Sequence, residues 1–206
     1  MGGYYNRNGR LVSDAGHGYN NAAGIAPSID YNSGVTPYGA VSVTDQLFAP
    51  YYSAGWALAT PAATATDFAT IAGSAAKVIY VNKITLVGLA TSIGTLEAYL
   101  ILRSALDTAG TATTLTAGKH DTLFGTAAAT VKLYSANPSG LGAAVGTVAI
   151  QGLNCGLTGA TGSVVFDFAK SPVVLRGAAA NLAINFNGAT IPTGGKVGGT
   201  IEWFEI

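Results

Sequence analysis

The sequence predicts an all-β protein: a β-sandwich or jelly roll of about eight or nine strands with an extended N-terminal arm. Three observations predict it. From Trp56 onward, short runs rich in Val, Ile, Leu and Tyr recur between Gly, Asn, Ser and Pro turn signals. No stretch of that part carries a capped amphipathic helix of about ten residues or more. Before Trp56, neither a 3.6-residue nor a 2-residue periodicity is legible. The expected organisation is an arm over residues 1–55 and a β-domain over residues 56–206.

The arm holds seven of the ten tyrosines, spaced by Asn, Gly and Ser and by Pro27, Pro37 and Pro50. It lacks the aliphatic content for a core and has too many aromatics for a solvated linker. Tyrosine offers an apolar face and a hydroxyl, which suits half-wet contacts. The arm is therefore expected to order on another surface, its own or a neighbour's. Thr44 or Asp45 offers an N-cap for a short turn ending before Pro50.

In the β-domain, Phe68 to Ile71 is a candidate strand. Lys77 to Val87 is a strong one, interrupted by Asn82 and Thr85. Leu96 to Arg103 is equally strong. Ala129 to Tyr134, Val145 to Ile150, Val164 to Phe168, Val173 to Leu175, Leu182 to Phe186 and Thr200 to Phe204 follow. In the last of these, Ile201, Trp203 and Glu205 share one face, while Thr200, Glu202, Phe204 and Ile206 share the other. An aromatic on each face fits a strand between its own core and a second surface, and it equally fits a terminal strand buried in one sheet. Ser104 to Ala128 is expected to be one long Thr/Gly/Ala loop, and such loops are usually interaction elements.

The chain has 206 residues, 49% hydrophobic and 10% charged, with a formal net charge of zero. Charged content is well below the roughly 25% of a soluble domain. High hydrophobicity and zero net charge argue against disorder. Scattered basic residues give no footprint for nucleic acid. No run reaches the roughly 18 apolar residues of a membrane span, and the first residues carry no apolar core of a secretory signal. Cys155 is the only cysteine and is expected to be a passive thiol. A surface so poor in charge is expected to be covered by partners.

No catalytic constellation stands out. There is no phosphate loop, dinucleotide fingerprint or nucleophile elbow. His17 and His120 form no paired metal motif, and with one Cys they are too sparse for a zinc site. Glu97 and Glu202 are the best candidates for a facing carboxylate pair, but solvent-facing strand positions explain them better. Asp107 with Asp121 is a weak calcium option without supporting spacing. Arg103 and Asp107 are expected to form an ordinary ion pair. The expectation is no enzyme, no metal and no cofactor.

The run Ala59 to Ser74 leads into the strand from Lys77. Leu102-Arg103-Ser104, Lys119-His120-Asp121, Leu133 to Pro138, Val174 to Gly177 and Ile201-Glu202-Trp203 follow. Over residues 59–206 this pattern resembles a group of small β-sandwich proteins among the structural genes of tailed bacteriophages. The resemblance implies a virion protein assembled in the host cytoplasm, a capsid decoration (cement) or head-associated subunit. Its partners would be the major capsid protein or other virion subunits, with no nucleic acid and no membrane. It supplies no site residues.

Many weak contacts multiplied by symmetry suit such a role, and a homotrimer is the expected form. The expected contact residues are Tyr4, Tyr5, Arg7, Arg10, Tyr19, Tyr31, Tyr38, Tyr51, Tyr52, Trp56 and Trp203. The alternatives are a neck, tail or baseplate subunit, and a carbohydrate-binding adhesion module.

Overall fold

A computed structural model describes residues 4–5, 11–12, 49–157 and 160–206. The chain divides into two units, Met1–Ala49 and Pro50–Ile206. In the first, β1 (Tyr4–Tyr5) pairs antiparallel with β2 (Leu11–Val12), Tyr4 opposite Val12 and Tyr5 opposite Leu11. The turn expected at residues 44–48 lies outside the described residues, as do Arg7, Arg10, Tyr19, Tyr31 and Tyr38.

The second unit is all β, with no helix among its described residues. Its strands are β3 (Tyr51–Ala59), β4 (Asp67–Ala72), β5 (Ile79–Leu89), β6 (Gly94–Arg103), β7 (Thr111–Leu115), β8 (Gly118–Lys119), β9 (Thr130–Ala136), β10 (Ala144–Cys155), β11 (Gly162–Asp167), β12 (Val173–Leu175), β13 (Asn181–Asn185) and β14 (Lys196–Glu205). They form two antiparallel sheets. One has the order β10-β6-β13-β4-β9-β7. The other has the order β11-β5-β14-β3-β8, with β12 also on β5.

The sequence rule behind this architecture is alternation. On β5, Ile79, Val81, Ile84 and Leu86 are fully buried, while Tyr80, Asn82, Lys83, Thr85 and Val87 are half-buried. The alternation breaks once because β5 bulges at Asn82: Glu202 pairs with Lys83, and Trp203 pairs with Val81. Both polar residues thus stay outside while the apolar set stays inside. Leu96, Ala98 and Leu100 of β6, Leu182 and Ile184 of β13, and Ile201 and Trp203 of β14 complete the core. Each buried Leu or Ile among them contributes about 1.5–3 kcal/mol by leaving water.

Two expectations change here. The sandwich begins at Tyr51, not at Trp56: β3 pairs with β14 from Tyr51 opposite Phe204 to Ala59 opposite Val197. Tyr51-Tyr52-Ser53-Ala54-Gly55 carries no β-branched residue, so nothing local marks it as a strand. Its partner β14 does. The second change is in the expected loop Ser104 to Ala128, which contains β7 and β8. With those strands the unit has twelve, more than the eight or nine expected.

Candidate assembly interface

The predicted contact residues fall into two sets. Tyr4 and Tyr5 form β1. Tyr51, Tyr52 and Trp56 lie on β3 and Trp203 on β14, and most of this second set points inward. Tyr52 and Trp203 are buried and stacked, ring centroids 5.9 Å apart. Trp56 is buried too. A side chain on Gly199 would come within 2.5 Å of its ring, so glycine there lets the indole lie across β14. As contact residues these three are corrected: alternation on β3 and β14 commits them to this chain's own core. Tyr51 alone stays on the outer face.

Around Tyr51, the second sheet presents a small polar network. Asn82 Nδ2 donates to the Tyr51 hydroxyl at 2.8 Å, and that hydroxyl donates to Glu202 at 3.3 Å. Lys83 Nζ sits 2.7 Å from Glu202. Partial burial pushes the Tyr51 phenol up, and the hydrogen bond to Glu202 holds the Lys83 ammonium up. His120 meets the Tyr51 ring edge-on at 4.8 Å. Nearby, Tyr80 stacks on the Phe204 ring at 4.7 Å with the planes 2° apart.

The first sheet also holds a buried cluster of charges. Asp67 accepts from Arg103 through both oxygens, at 2.6 and 2.7 Å, and from Asn185 Nδ2 at 2.7 Å. Arg103 Nη1 donates to the Gly142 carbonyl at 2.7 Å, and the Gly142 N–H donates to Asp107 at 3.1 Å. Gly142 has no room for a side chain, because a Cβ there would overlap the Ala105 carbonyl. The expected Arg103–Asp107 pair is the looser contact, at 4.0 Å.

Asp107 keeps one buried oxygen without a partner. Burial pushes its carboxyl above the usual carboxylate range, and the neighbouring Asp67 charge adds to that, while Gly142 and Arg103 oppose it. A cleft of about 310 Å³ reaches this knot, lined by Thr70, Lys132, Tyr134 and Asn181 among others.

Glu205 is a second interior anchor. Its carboxylate accepts from the Ala128 and Ala129 backbone and from Trp203 Nε1, at 2.9–3.0 Å. It pins the end of the long 104–128 segment to β14. Alternation places Glu205 on the inward face, and the hydrogen bonds explain why a carboxylate can be there.

The contrast is the side formed by β10 and β11. No Asp, Glu, Lys, Arg or His occurs between Lys132 and Asp167. Those residues supply one edge strand of each sheet, β10 and all of β11 but the exposed Asp167 at its end. The two edges meet, since Gln151 Nε2 donates to the Val165 carbonyl at 3.3 Å.

Six of the eleven exposed large hydrophobics among the described residues fall on these strands or beside them: Leu141, Val145, Val148, Ile150, Leu157 and Val165, with Ile150 opposite Tyr99 on the outer face of the first sheet and Val165 opposite Thr85 on that of the second. Val145 is 64% and Ile150 52% exposed. Edge strands are normally blunted by charge, by Pro or by bulges. Here β10 has only the bulges, one at Val145 and one at Val148. They interrupt the ladder to β6 and leave both valines outside. Sequence reasoning missed this surface, although the gap in charge is legible as such.

The chemical candidates resolve as structural groups. Glu97 and Glu202 lie on different sheets at outward positions, so they do not face one cleft. Glu97 accepts from the Tyr99 hydroxyl at 2.9 Å. The His120 backbone N–H donates to the Tyr51 carbonyl, and Asp121 accepts from the Leu123 N–H within a turn. Asp107 is thus tied to the Arg103 knot, and Asp121 to that turn. Cys155 is buried, and burial pushes its thiol up, away from the reactive thiolate. Among the described residues, no three of His, Cys, Asp or Glu gather as metal ligands. No family model, curated protein or solved structure matches this chain.

Proposed function

We propose that this chain is a non-enzymatic structural subunit of a virus particle, a capsid decoration protein that binds and stabilises a phage head. The observation that carries the assembly reading is the set of exposed hydrophobics on and beside the edge strands β10 and β11, in a stretch without charge from residue 133 to 166. Exposed edge strands with apolar side chains suit contacts with other chains. The Ala- and Gly-rich composition suits close approach of repeated subunits, and the Tyr-rich N-terminal segment suits tethering.

The test is sedimentation of the purified chain with assembled shells that lack it. Saturable binding at a fixed number of copies per capsomer supports the reading. Failure to bind shells, with binding to necks or tails instead, moves the subunit along the particle, and rings of six or twelve copies point the same way. A chain lacking residues 1–49 is expected to keep its β-sheet circular dichroism and lose shell binding. A deletion through residue 55 would also remove half of β3, so the cut belongs before Tyr51.

A specific observation favours carbohydrate binding as the second reading. Tyr80, Tyr51 and His120 lie on the outer face of the second sheet around the buried Phe204 ring, beside Asn82, Lys83 and Glu202. Aromatic faces flanked by hydrogen-bonding groups suit sugar rings. A glycan array decides it, and the absence of any bound glycan removes this reading.

A further inference from the structure

We infer that the cleft on the outer face of the first sheet binds a small zwitterion, an ω-amino acid whose ammonium lies against Asp107 and Asn181 and whose carboxylate lies against Lys132. The inference goes beyond the assembly reading and does not depend on it. The cleft follows from alternation. Ile71 of β4, Val131 of β9 and Leu182 of β13 belong to the core. Thr70, Ala72, Thr130, Lys132 and Asn181 of the same strands therefore lie on the opposite face. Leu106 and Asp107 supply a wall, and the space is about 310 Å³, at the low end for a ligand pocket.

Two buried oxygens among the residues that line it have no partner, Asp107 Oδ2 and Asn181 Oδ1. The other polar atom of each side chain is committed. Asp107 Oδ1 accepts from the Gly142 N–H at 3.1 Å, and Asn181 Nδ2 donates to the Ala105 carbonyl at 2.7 Å. Flipping either group would exchange one orphan for another. The Asp107 side chain is fully withdrawn from water and Asn181 is 1% exposed, so bulk solvent does not serve them. Both oxygens belong with the segment 105–107, one through Asp107 itself and one through the Asn181 bond to Ala105. Two neighbouring buried acceptors need a group with several donors. An ammonium has three, and a hydrogen bond made away from water meets no solvent competition.

Charge selects that donor and its counterpart. Arg103 matches Asp67 through both oxygens, so the Asp107 charge is the one left for a cation. A metal ion fits poorly, because among the described residues no three ligating side chains gather. Lys132 lines the same cleft, is half-buried and forms no ion pair among the described residues. A bare cation would face it, whereas a ligand carboxylate would pair with it. Strand order sets the spacing. β4 lies between β13 and β9, with Ala72 opposite Asn181 and Thr70 opposite Lys132. Asn181 and Lys132 thus stand two strands apart, roughly 10 Å. An α-amino acid holds its charges too close for that span. A chain with several methylenes between them suits it.

The test is isothermal titration calorimetry on the full chain with glycine, γ-aminobutyrate and ε-aminohexanoate, and with butylammonium and butyrate as single-charge controls. One of the two longer zwitterions is expected to bind at least about tenfold tighter than glycine and than either control. Asp107→Asn keeps an acceptor for the Gly142 N–H and removes the charge, and Lys132→Met removes the cation. Each is expected to weaken that binding about tenfold or more, with the unfolding midpoint checking that the variant folds. Binding of no probe at millimolar concentration overturns the proposal. Butyrate binding as tightly as the best zwitterion, or zwitterion binding unchanged in Asp107→Asn, overturns it in favour of an anion cleft at Lys132. Butylammonium binding as tightly as the best zwitterion, or zwitterion binding unchanged in Lys132→Met, denies the paired charges and overturns it as well.

Discussion

The interior of the first sheet and the β10–β11 side treat charge in opposite ways. Asp67, Arg103 and Asp107 are gathered under loops where their side chains see almost no water. Residues 137–166, which supply the edge strand β10 and all of β11 but its last residue, contain no ionisable acid or base apart from the buried Cys155. A soluble monomer usually does the reverse, with charge outside and hydrophobics inside. Here buried charge fixes loop geometry, through Gly142 and Asp107, while the edge strands β10 and β11 leave apolar side chains exposed.

Breaking the interior knot is expected to give the largest effect. Arg103→Ala strands Asp67 as a buried carboxylate with only Asn185 left. Removing one partner of a buried pair costs about 3–5 kcal/mol. Urea unfolding should show a loss of that size. A loss below about 1 kcal/mol would mean that water reaches Asp67, and that the contrast between the two regions is weaker than drawn.

The Glu205 anchor ranks next. Glu205→Ala leaves the Ala128 and Ala129 N–H groups and Trp203 Nε1 without their acceptor. Orphaned buried donors cost about 1–3 kcal/mol together with the lost charge-assisted bonds. Hydrogen exchange should rise at residues 128–129 before the rest of the core. Uniform exchange would deny Glu205 its role as a local tie.

These two sites mark the limit of what the sequence discloses. The strands from Lys77, from Leu96 and at Val173 to Leu175 are legible because β-branched and aliphatic residues are dense there. Tyr51–Ala59 is not, because its strand character comes from β14. Thr111–Leu115 is hidden by a Thr/Ala composition that reads as loop, although it pairs with β9. Nearness in sequence matches Arg103 to Asp107. Its closer partner, Asp67, is brought in by β13, which lies between β4 and β6. The missing charges of residues 133–166 are legible as a gap. Only the strand order shows that most of that gap falls on one edge strand of each sheet, β10 and β11.

Asp107 gives a prediction of opposite sign. Its carboxyl is pushed up by burial, so the folded state binds the proton more tightly than the unfolded state. Its contribution favours the fold below the unfolded carboxylate range and is lost as pH rises through the folded value. Asp107→Asn keeps an acceptor for the Gly142 N–H and removes the charge. At neutral pH it is expected to raise the unfolding midpoint, an advantage that shrinks as pH falls into the ordinary carboxylate range, about 4. Thermal melts of the two proteins across that range should converge at the acid end. Divergence there would show that Asp107 is held ionised in the fold.

The smallest effect sharpens the comparison by holding distance fixed. Lys83–Glu202 at 2.7 Å is almost as short as Arg103–Asp67 at 2.6 Å. The Lys83 side chain, however, is 38% exposed and the Arg103 side chain 6%. Solvent screens the outer pair, and holding two long side chains together costs entropy, so exposed pairs contribute about 0–1 kcal/mol. Lys83→Ala also leaves Glu202 with the Tyr51 hydroxyl and open water. A loss of a few tenths of a kcal/mol is expected, and it should vanish in about 1 M salt, where charges are screened within ~3 Å. The Arg103→Ala loss should persist in that salt. If the two losses were equal, geometry and not burial would set the worth of an ion pair here, and withdrawing charge to the interior would bring the fold no specificity.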